Sequence, residues 1–311
     1  DKNYSYDPAN LQAPDTQGPR GDIGVKWKFP TGGRIASLPA LSNGNLYFGS
    51  EDQYFYSVSA ETGEENWKVD AGRIRIGAPN VVNGTVYFTS WIAIDRNNSK
   101  GKLHAVSAEN GGKLWSIEKD EPIMAPPKVV DGTLYYGCHD KKFYALDAST
   151  GEQKWKFEAG DSFCINVPAV KDGVVYTGNV DKHLYALDTE NGDKLWEFET
   201  NGQVESGAVA TDDKIYVGSM DNNLYAVDRK TGEEVWRFET GDVILSSPAY
   251  RDGILYVGSK DGNVYAVDSE TGEEVWRFPT GDVVLGSPMA TEERVYIGSG
   301  DKSLYSIERR V

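Results

Sequence analysis

Metal sites and nucleophilic active sites need particular spacings of histidine, cysteine, serine and acidic residues. The chain has three histidines, His104, His139 and His183, and no HxxxH or HxH spacing that would bring two imidazoles onto one metal ion. It also contains neither the GxSxG motif of serine hydrolases nor a phosphate-binding loop. The sequence therefore predicts no metal site, and it does not favour chemistry of these types.

Seven of the eight tryptophans recur at intervals of 40, 48, 40, 41, 40 and 40 residues. A period of about 40 residues indicates a repeat architecture. An indole at the same place in each repeat can cover the space between neighbouring repeats. We interpret all seven as structural docking residues: Trp27, Trp67, Trp115, Trp155, Trp196, Trp236 and Trp276.

Each repeat has four short alternating apolar segments between turn signals, as Ser246 to Phe278 shows with its Asp-Gly and Thr-Gly pairs. A four-stranded antiparallel sheet of strands A to D cannot cover both of its faces alone, so successive sheets must stack. We predict an all-β, seven-bladed β-propeller. The last repeat lacks its tryptophan strand, and residues 25–29 supply one at the other end of the chain.

The predicted boundaries follow from this closure. Residues 25–311 form one propeller, in which strand 25–29 pairs with and completes the blade begun at 286–311. Residues 1–24 contain three prolines without apolar periodicity and are expected to be an extended lead-in. We expect a monomer.

The charge balance limits the partners of this protein. With 48 acidic and 32 basic residues, the net charge of −16 argues against nucleic-acid binding. No run approaches 18 apolar residues, so no membrane-spanning segment is predicted. The chain starts at Asp1, which fits a processed exported protein or a trimmed chain. We expect export to the periplasm, the cell surface or the extracellular space.

The repeat carries a specific pattern, A-x-D-x-x-T-G-x-x-x-W, at Ala145 to Trp155, Ala226 to Trp236 and Ala266 to Trp276. It resembles the tryptophan-docking repeat of the pyrroloquinoline-quinone (PQQ)-like propellers, which include BamB-like proteins and quinoprotein dehydrogenases. The similarity covers essentially the whole chain after residue 24. The resemblance implies either an interaction scaffold or a quinone enzyme.

The quinone site implied by this resemblance has a vicinal cysteine disulfide, a calcium or lanthanide ion and a catalytic aspartate. Here Cys138 and Cys164 are 26 positions apart, and no matching aspartate can be assigned. We therefore predict no cofactor, neither PQQ nor calcium. Since both cysteines fall at strand ends on one face, they either form a disulfide or are buried free thiols.

Comparing the blades with one another separates scaffold positions from exceptions. His104 falls in a column of tyrosines and is interpreted as a packed strand residue. Aspartates recur at the B-to-C turn and are interpreted as turn caps rather than calcium ligands: Asp140, Asp181, Asp221, Asp261 and Asp301.

The D-to-A and B-to-C connections are expected to surround the mouth of the central channel, where propellers of this type usually bind. Arg75 is the one charged residue in the column of Ile35, Ile123, Cys164 and Val204, and Glu205 is the one charged residue in the next column. Both either bind a partner or form structural ion pairs across the ring.

Blade 2 has eight extra residues in its B-to-C loop between Ser90 and Lys100. The insertion contains Trp91, and it either recognises a partner or folds back as a cap on blade 2. With the other exceptions, the candidate partner-binding residues are Arg34, Arg73, Arg75, Trp91, His139, Phe163, Asn166, Asn179, His183, Gln203 and Glu205.

These observations favour a non-enzymatic exported propeller. We expect it to bind a protein, peptide or polysaccharide through the channel face over blades 1 to 4. The alternatives are a PQQ-dependent or metal-dependent enzyme, a propeller hydrolase using Glu205 or His139, and the sensor domain of a larger surface receptor or kinase.

Overall fold

The computed structural model describes residues 3–4, 26–35, 38–72, 78–93 and 99–308. Within these ranges all regular structure is β-strand, arranged in seven antiparallel sheets that follow one another along the chain. The predicted all-β class and the seven blades are confirmed. The described part of the chain contains no helix with the length and hydropathy of a membrane span.

The strands of each blade are consecutive in the chain, and each pairs with the next. Their bounds are β1 (Asn3–Tyr4); for blade 1, β2 (Ala40–Ser42), β3 (Asn45–Gly49), β4 (Tyr54–Ser59) and β5 (Glu65–Asp70); for blade 2, β6 (Asn80–Val82), β7 (Thr85–Ala93), β8 (Ser99–Ser107) and β9 (Lys113–Lys119); for blade 3, β10 (Lys128–Val130), β11 (Thr133–Gly137), β12 (Lys142–Asp147) and β13 (Gln153–Glu158); for blade 4, β14 (Ala169–Lys171), β15 (Val174–Gly178), β16 (His183–Asp188) and β17 (Lys194–Glu199); for blade 5, β18 (Val209–Ala210), β19 (Lys214–Gly218), β20 (Asn223–Asp228) and β21 (Glu234–Glu239); for blade 6, β22 (Ala249–Arg251), β23 (Ile254–Gly258), β24 (Asn263–Asp268) and β25 (Glu274–Pro279); and for blade 7, β26 (Met289–Ala290), β27 (Arg294–Gly298) and β28 (Leu304–Glu308).

Turn chemistry produces these short strands. In the A-to-B hairpin of blade 3, Asp131 and Gly132 both have positive φ, 47° and 73°, as a two-residue type I′ turn requires. In the C-to-D turn, Gly151 has a φ of 77°, which confirms the predicted role of the Thr-Gly pair. Asparagine or aspartate precedes glycine in the corresponding A-to-B turns of blades 1, 2, 4 and 6 as well.

The docking tryptophans seal each blade against the next one. Trp155 lies opposite the small residue Ala145 in its own sheet, and its indole Nε1 donates to the carbonyl oxygen of Thr189 in blade 4 at 2.9 Å. The same bond recurs around the ring, and it joins Trp27 to Ala60, Trp67 to Ala108, Trp115 to Ala148, Trp196 to Arg229 and Trp236 to Ser269. These bonds place six of the seven repeated indoles at the junctions between neighbouring blades.

Two glycines provide a matched test of this docking. Gly192 and Gly132 both have positive φ, but a Cβ on Gly192 would lie 2.5 Å from the Trp155 ring, whereas a Cβ on Gly132 would meet nothing within 4 Å. We expect Gly132→Ala to cost about 1–2 kcal/mol of unfolding free energy through backbone strain alone. Gly192→Ala should cost about 1–3 kcal/mol more, because the indole must move. Urea unfolding of both variants checks this, and equal losses would contradict the close docking.

The seam between blades 7 and 1 is not closed by backbone hydrogen bonds among the described residues. Residues 26–30 form no strand, and the sheet of β26, β27 and β28 has no fourth strand among the described residues. The segment contacts the following blade as a strand D does. Trp27 docks on blade 1, and the ring centroids of Phe29 and Tyr56 lie 5.4 Å apart. Docking of side chains and pairing of backbones are separate interactions, and among the described residues of this seam only the docking is found.

The open seam exposes side chains that the other blades bury. Leu304 is 77% exposed and Ile35 is 48% exposed, although their equivalents Leu184 and Val204 are fully buried. Within the predicted lead-in, the structure describes β1, which pairs with β2. The rest of residues 1–24 lies outside the described ranges.

Candidate functional site

The D-to-A connections, which were predicted to surround the mouth of the channel, are clamped onto B-to-C turns. Val204 packs against Gly178, and its N–H donates to the carbonyl oxygen of Asn179 at 3.0 Å. The N–H of Met220 donates to the carbonyl oxygen of Gln203 at 2.9 Å. These backbone bonds hold each connection between two blades, so the side chains between them are presented on a rigid rim.

Aspartates close the B-to-C turns, as predicted. Asp181 accepts the N–H of His183 at 3.1 Å through Oδ1, and it accepts the Tyr185 hydroxyl at 2.7 Å and the Gly160 N–H at 2.8 Å through Oδ2. Burial, followed by the bond to Asp261, raises the pKa of Tyr265 to about 12. The aspartate and tyrosine pair recurs in six blades, joining Asp52 to Tyr56, Asp140 to Tyr144, Asp181 to Tyr185, Asp221 to Tyr225, Asp261 to Tyr265 and Asp301 to Tyr305.

Blade 2 replaces this pair with a histidine and a serine. The ring nitrogen Nε2 of His104 lies 2.8 Å from the Ser90 hydroxyl, and the imidazole stacks on Phe88. Burial lowers the pKa of His104 to about 3, so the ring is neutral at physiological pH. The predicted role of His104 as a packed strand residue is confirmed.

Three other exceptions from blades 3 and 4 serve the scaffold in this structure. Asn179 accepts the Asp181 N–H and donates to the carbonyl oxygen of Asp161, as serines do in the neighbouring blades. Asn166 is buried and donates to the carbonyl oxygen of Gly178, while its Oδ1 has no partner among the described residues. His183 is half-buried, and its Nδ1 lies 3.0 Å from the carbonyl oxygen of Asp181.

Phe163 corrects the alignment of the blades. It is fully buried, packs on Gly137 and donates its N–H to Cys138, which are the contacts that Val204 makes in the next blade. The buried column therefore contains Phe163, and Cys164 belongs to the column of Glu205. The D-to-A connection of blade 4 has one residue more than that of blade 5. Aligning the blades by counting back from the proline of strand A therefore shifted blade 4 by one position.

The two cysteines are free, so the disulfide alternative is wrong for this structure. Cys138 occupies the serine position of its turn, and its Sγ lies 3.5 Å from the carbonyl oxygen of Pro122. Burial raises the pKa of Cys138 to about 12, and burial followed by the charge of Glu205 raises the pKa of Cys164 to about 11. Neither thiol is activated as a nucleophile.

The remaining rim residues have different surroundings. His139 is half-buried, and its Nε2 has no hydrogen-bond partner among the described residues. Burial lowers the pKa of His139, although the charges of Glu121 and Asp161 act in the opposite direction. Gln203 is half-buried, and Arg34 is exposed. Arg73 and Arg75 lie outside the described residues.

The insertion of blade 2 forms a longer hairpin. Strands β7 and β8 pair as far as Ala93 and Ser99, whereas the predicted feature was a loop. The base of the hairpin is held against blade 3. The N–H of Gly101 donates to the carbonyl oxygen of Glu121, and a Cβ at position 101 would clash with Ile123. Trp91 lies on this hairpin and is half-buried. Its indole nitrogen is buried and has no hydrogen-bond partner among the described residues.

Lys119 is a rim residue that the sequence analysis missed. Its ammonium lies 3.7 Å from the centroid of the Tyr144 ring, and burial lowers its pKa despite the charge of Asp140. Comparison of the blades could have identified Lys119, because it is the one charged residue at its position in the repeat. The equivalent residues are alanine or threonine: Thr31, Ala71, Ala159, Thr200, Thr240 and Thr280.

The described residues do not fit a PQQ and calcium site of the quinoprotein kind. Such a site uses a vicinal cysteine disulfide, whereas Cys138 and Cys164 are separate thiols. The recurring aspartates are already occupied by tyrosine hydroxyls and backbone N–H groups. Within the described ranges, no group of three histidine, cysteine or acidic side chains is placed to hold a metal ion.

Comparison with known proteins agrees with this architecture. No curated protein sequence matches the chain. Among solved structures it is similar to BamB from Moraxella catarrhalis, at 20% identity over 91% of this chain and 88% of that chain, with a TM-score of 0.77. It is also similar to a europium-containing methanol dehydrogenase, at 14% identity over 86% of this chain and 72% of that chain, with a TM-score of 0.67.

A third similar structure is the computationally designed Ika8 protein, at 16% identity over 88% of this chain and 96% of that chain, with a TM-score of 0.63. At these identities the three structures show the propeller fold alone. The profile of a family described as outer membrane protein assembly factor BamB matches residues 21–124, 99–237 and 220–310. These matches span nearly the whole repeat region, and the chain therefore belongs to the BamB family of PQQ-like repeat propellers.

Proposed function

We propose that this protein is a non-enzymatic, exported interaction scaffold that binds a protein segment on the channel face over blades 1 to 4. The observation that carries the proposal is the β7–β8 hairpin. Its strands continue four residue pairs beyond Thr89 and Leu103, whereas strand B of blade 3 ends at Gly137. The hairpin therefore extends past the turn where the other described blades reverse direction.

The hairpin has the physical properties of a recognition element. Its base is held by the close contact of Gly101 with blade 3 and by Lys100, whose ammonium lies 2.9 Å from Glu118 and 3.3 Å from Asp120. A rigid base lowers the entropy lost on binding. Trp91 supplies a large, half-buried aromatic ring, and tryptophan is enriched among the residues that dominate the energy of protein interfaces.

The family supports the class of partner. Its description names an assembly factor for outer membrane proteins, so a protein segment is favoured here over the polysaccharide that the sequence left open. The same description supports export. The absence of a fitting quinone site among the described residues supports a scaffold rather than a dehydrogenase.

Photo-crosslinking tests this proposal. Trp91 is replaced by p-benzoyl-phenylalanine, and the matched control carries the same group at Tyr250, an aromatic residue of blade 6 that is also solvent-accessible. In cells of the source organism we expect one discrete protein adduct from position 91 and none from position 250. Excess unlabelled wild-type chain should suppress the adduct.

The same experiment can contradict the proposal. Failure to form an adduct at position 91, or the same adduct from both positions, would show that the hairpin does not select a partner. Trp91→Ala should also abolish the capture of the identified partner while changing the free energy of unfolding by no more than about 1 kcal/mol, since Trp91 is only half-buried.

A further inference from the structure

Glu205 occupies a fixed position on the rim between blades 4 and 5. The preceding residue, Val204, is fully buried against Gly178. The following residue, Ser206, is also buried, and its hydroxyl accepts the Gly218 N–H at 2.7 Å. Because both neighbours are anchored, the backbone holds the carboxylate of Glu205 at the channel mouth.

The equivalent residues of the other described blades carry no charge. In the register of the structure they are Met124 in blade 3, Cys164 in blade 4, Leu245 in blade 6 and Leu285 in blade 7. Among the described blades, Glu205 is therefore the one charged residue at this position. A carboxylate at a position where the other blades carry uncharged side chains loses water on burial, and that loss needs compensation.

The carboxylate is half-buried and makes no hydrogen bond or ion pair with a described residue. Burial raises its pKa, and no compensating interaction is found among the described residues. Its negative charge also raises the pKa of the neighbouring Cys164 thiol. A partly desolvated acid without a partner is costly, and a cation placed beside it would offset that cost.

The surroundings select the kind of cation. A metal ion needs several oxygen, nitrogen or sulfur ligands, and no such set is present among the described residues. A lysine or arginine needs only one carboxylate for its head, and its methylene stem is stabilised by apolar side chains, which the equivalent positions of the adjacent blades carry as Cys164 and Leu245. The net charge of −16 attracts cationic segments from a distance.

We propose that Glu205 binds the basic side chain of an extended protein segment that enters the channel mouth between apolar neighbours. This inference rests on the proposed function, because it assigns a second contact on the same binding face. It adds the chemistry of the bound segment, a cationic residue flanked by apolar ones.

Calorimetric titration with the peptide acetyl-Leu-Lys-Leu-amide tests the contact directly. We expect saturable binding to the wild-type chain and at least tenfold weaker binding to Glu205→Gln. The matched control variant is Glu233→Gln, which removes an exposed carboxylate from the C-to-D turn of blade 5, outside the proposed contact, and should bind as the wild type does. A peptide with norleucine in place of lysine should bind both the wild type and Glu205→Gln weakly. Absence of lysine-peptide binding, or equal affinity for the wild type and Glu205→Gln, overturns the proposal.

A stability measurement separates this proposal from an internal ion pair. Glu205→Leu restores the residue found in blades 6 and 7, and we expect the midpoint of thermal unfolding to rise by about 1–3 °C. A fall would show that the carboxylate already has a partner within the chain, such as Arg75, and would overturn the proposal. Neither assay uses the hairpin, so failure at Glu205 is distinguishable from failure of crosslinking at Trp91.

Discussion

Replacing Trp155 with alanine is expected to lower the free energy of unfolding by about 3–5 kcal/mol. The indole is 6% exposed and packs between Tyr135 and Phe143 of its own blade and Gly192 of blade 4. Truncation would leave a cavity between two blades and would also remove the donor to the carbonyl oxygen of Thr189. Chemical unfolding followed by tryptophan fluorescence and circular dichroism measures the loss.

The adjacent position in the next blade provides the control. Leu195 precedes Trp196 in β17 and is 51% exposed, so Leu195→Ala should change the free energy of unfolding by no more than about 0.5 kcal/mol. If Trp155→Ala and Leu195→Ala had similar effects, the docking tryptophans would not hold the blades together. The interpretation of the repeat would then be wrong.

The second large effect concerns the open seam. We propose that residues 25–29 pair with β28 and complete blade 7, because this would cover the exposed Leu304 and Ile35. By analogy with the pairing of Tyr265 and Arg277 in blade 6, Lys28 should lie opposite Tyr305. Lys28→Cys with Tyr305→Cys should then form a disulfide and stabilise the chain by roughly 5 kcal/mol, since the closed loop includes most of the residues.

The closed blade 6 supplies the positive control for this cross-link. Tyr265→Cys with Arg277→Cys joins residues that are already paired, and it should oxidise readily. Peptide mapping under non-reducing conditions identifies each disulfide. Failure of the 28–305 pair to oxidise, alongside efficient oxidation of the 265–277 pair, would show that the seam stays open and that the proposed closure is wrong.

Much of the fold could be predicted because its signals are local. The alternation of apolar residues predicts strands, and Asp-Gly and Thr-Gly predict turns whose positive φ the structure contains at Gly132 and Gly151. The even spacing of the tryptophans predicts seven blades. The turn-capping role of Asp181 followed from its recurrence, since a contact within four residues repeats wherever its sequence repeats.

The candidate site was less predictable because its members come from different blades. Counting residues placed Cys164 in the buried column, but packing against Gly137 selects Phe163 instead. Among the predicted exceptions, Asn179 makes the hydrogen bonds that serine makes in the corresponding turns of other blades. The sequence comparison did not identify Lys119, although the equivalent residues of the other blades are alanine or threonine.

The sequence by itself determined the repeat, the strand type, the turn conformations and the docking residues, since these depend on near neighbours and on a fixed period. Only the tertiary structure decided that Cys138 and Cys164 remain free thiols, that the insertion of blade 2 continues as paired strands, and that Glu205 has no partner among the described residues. Those outcomes depend on distances and burial between segments that are remote in the chain, and no local pattern encodes them.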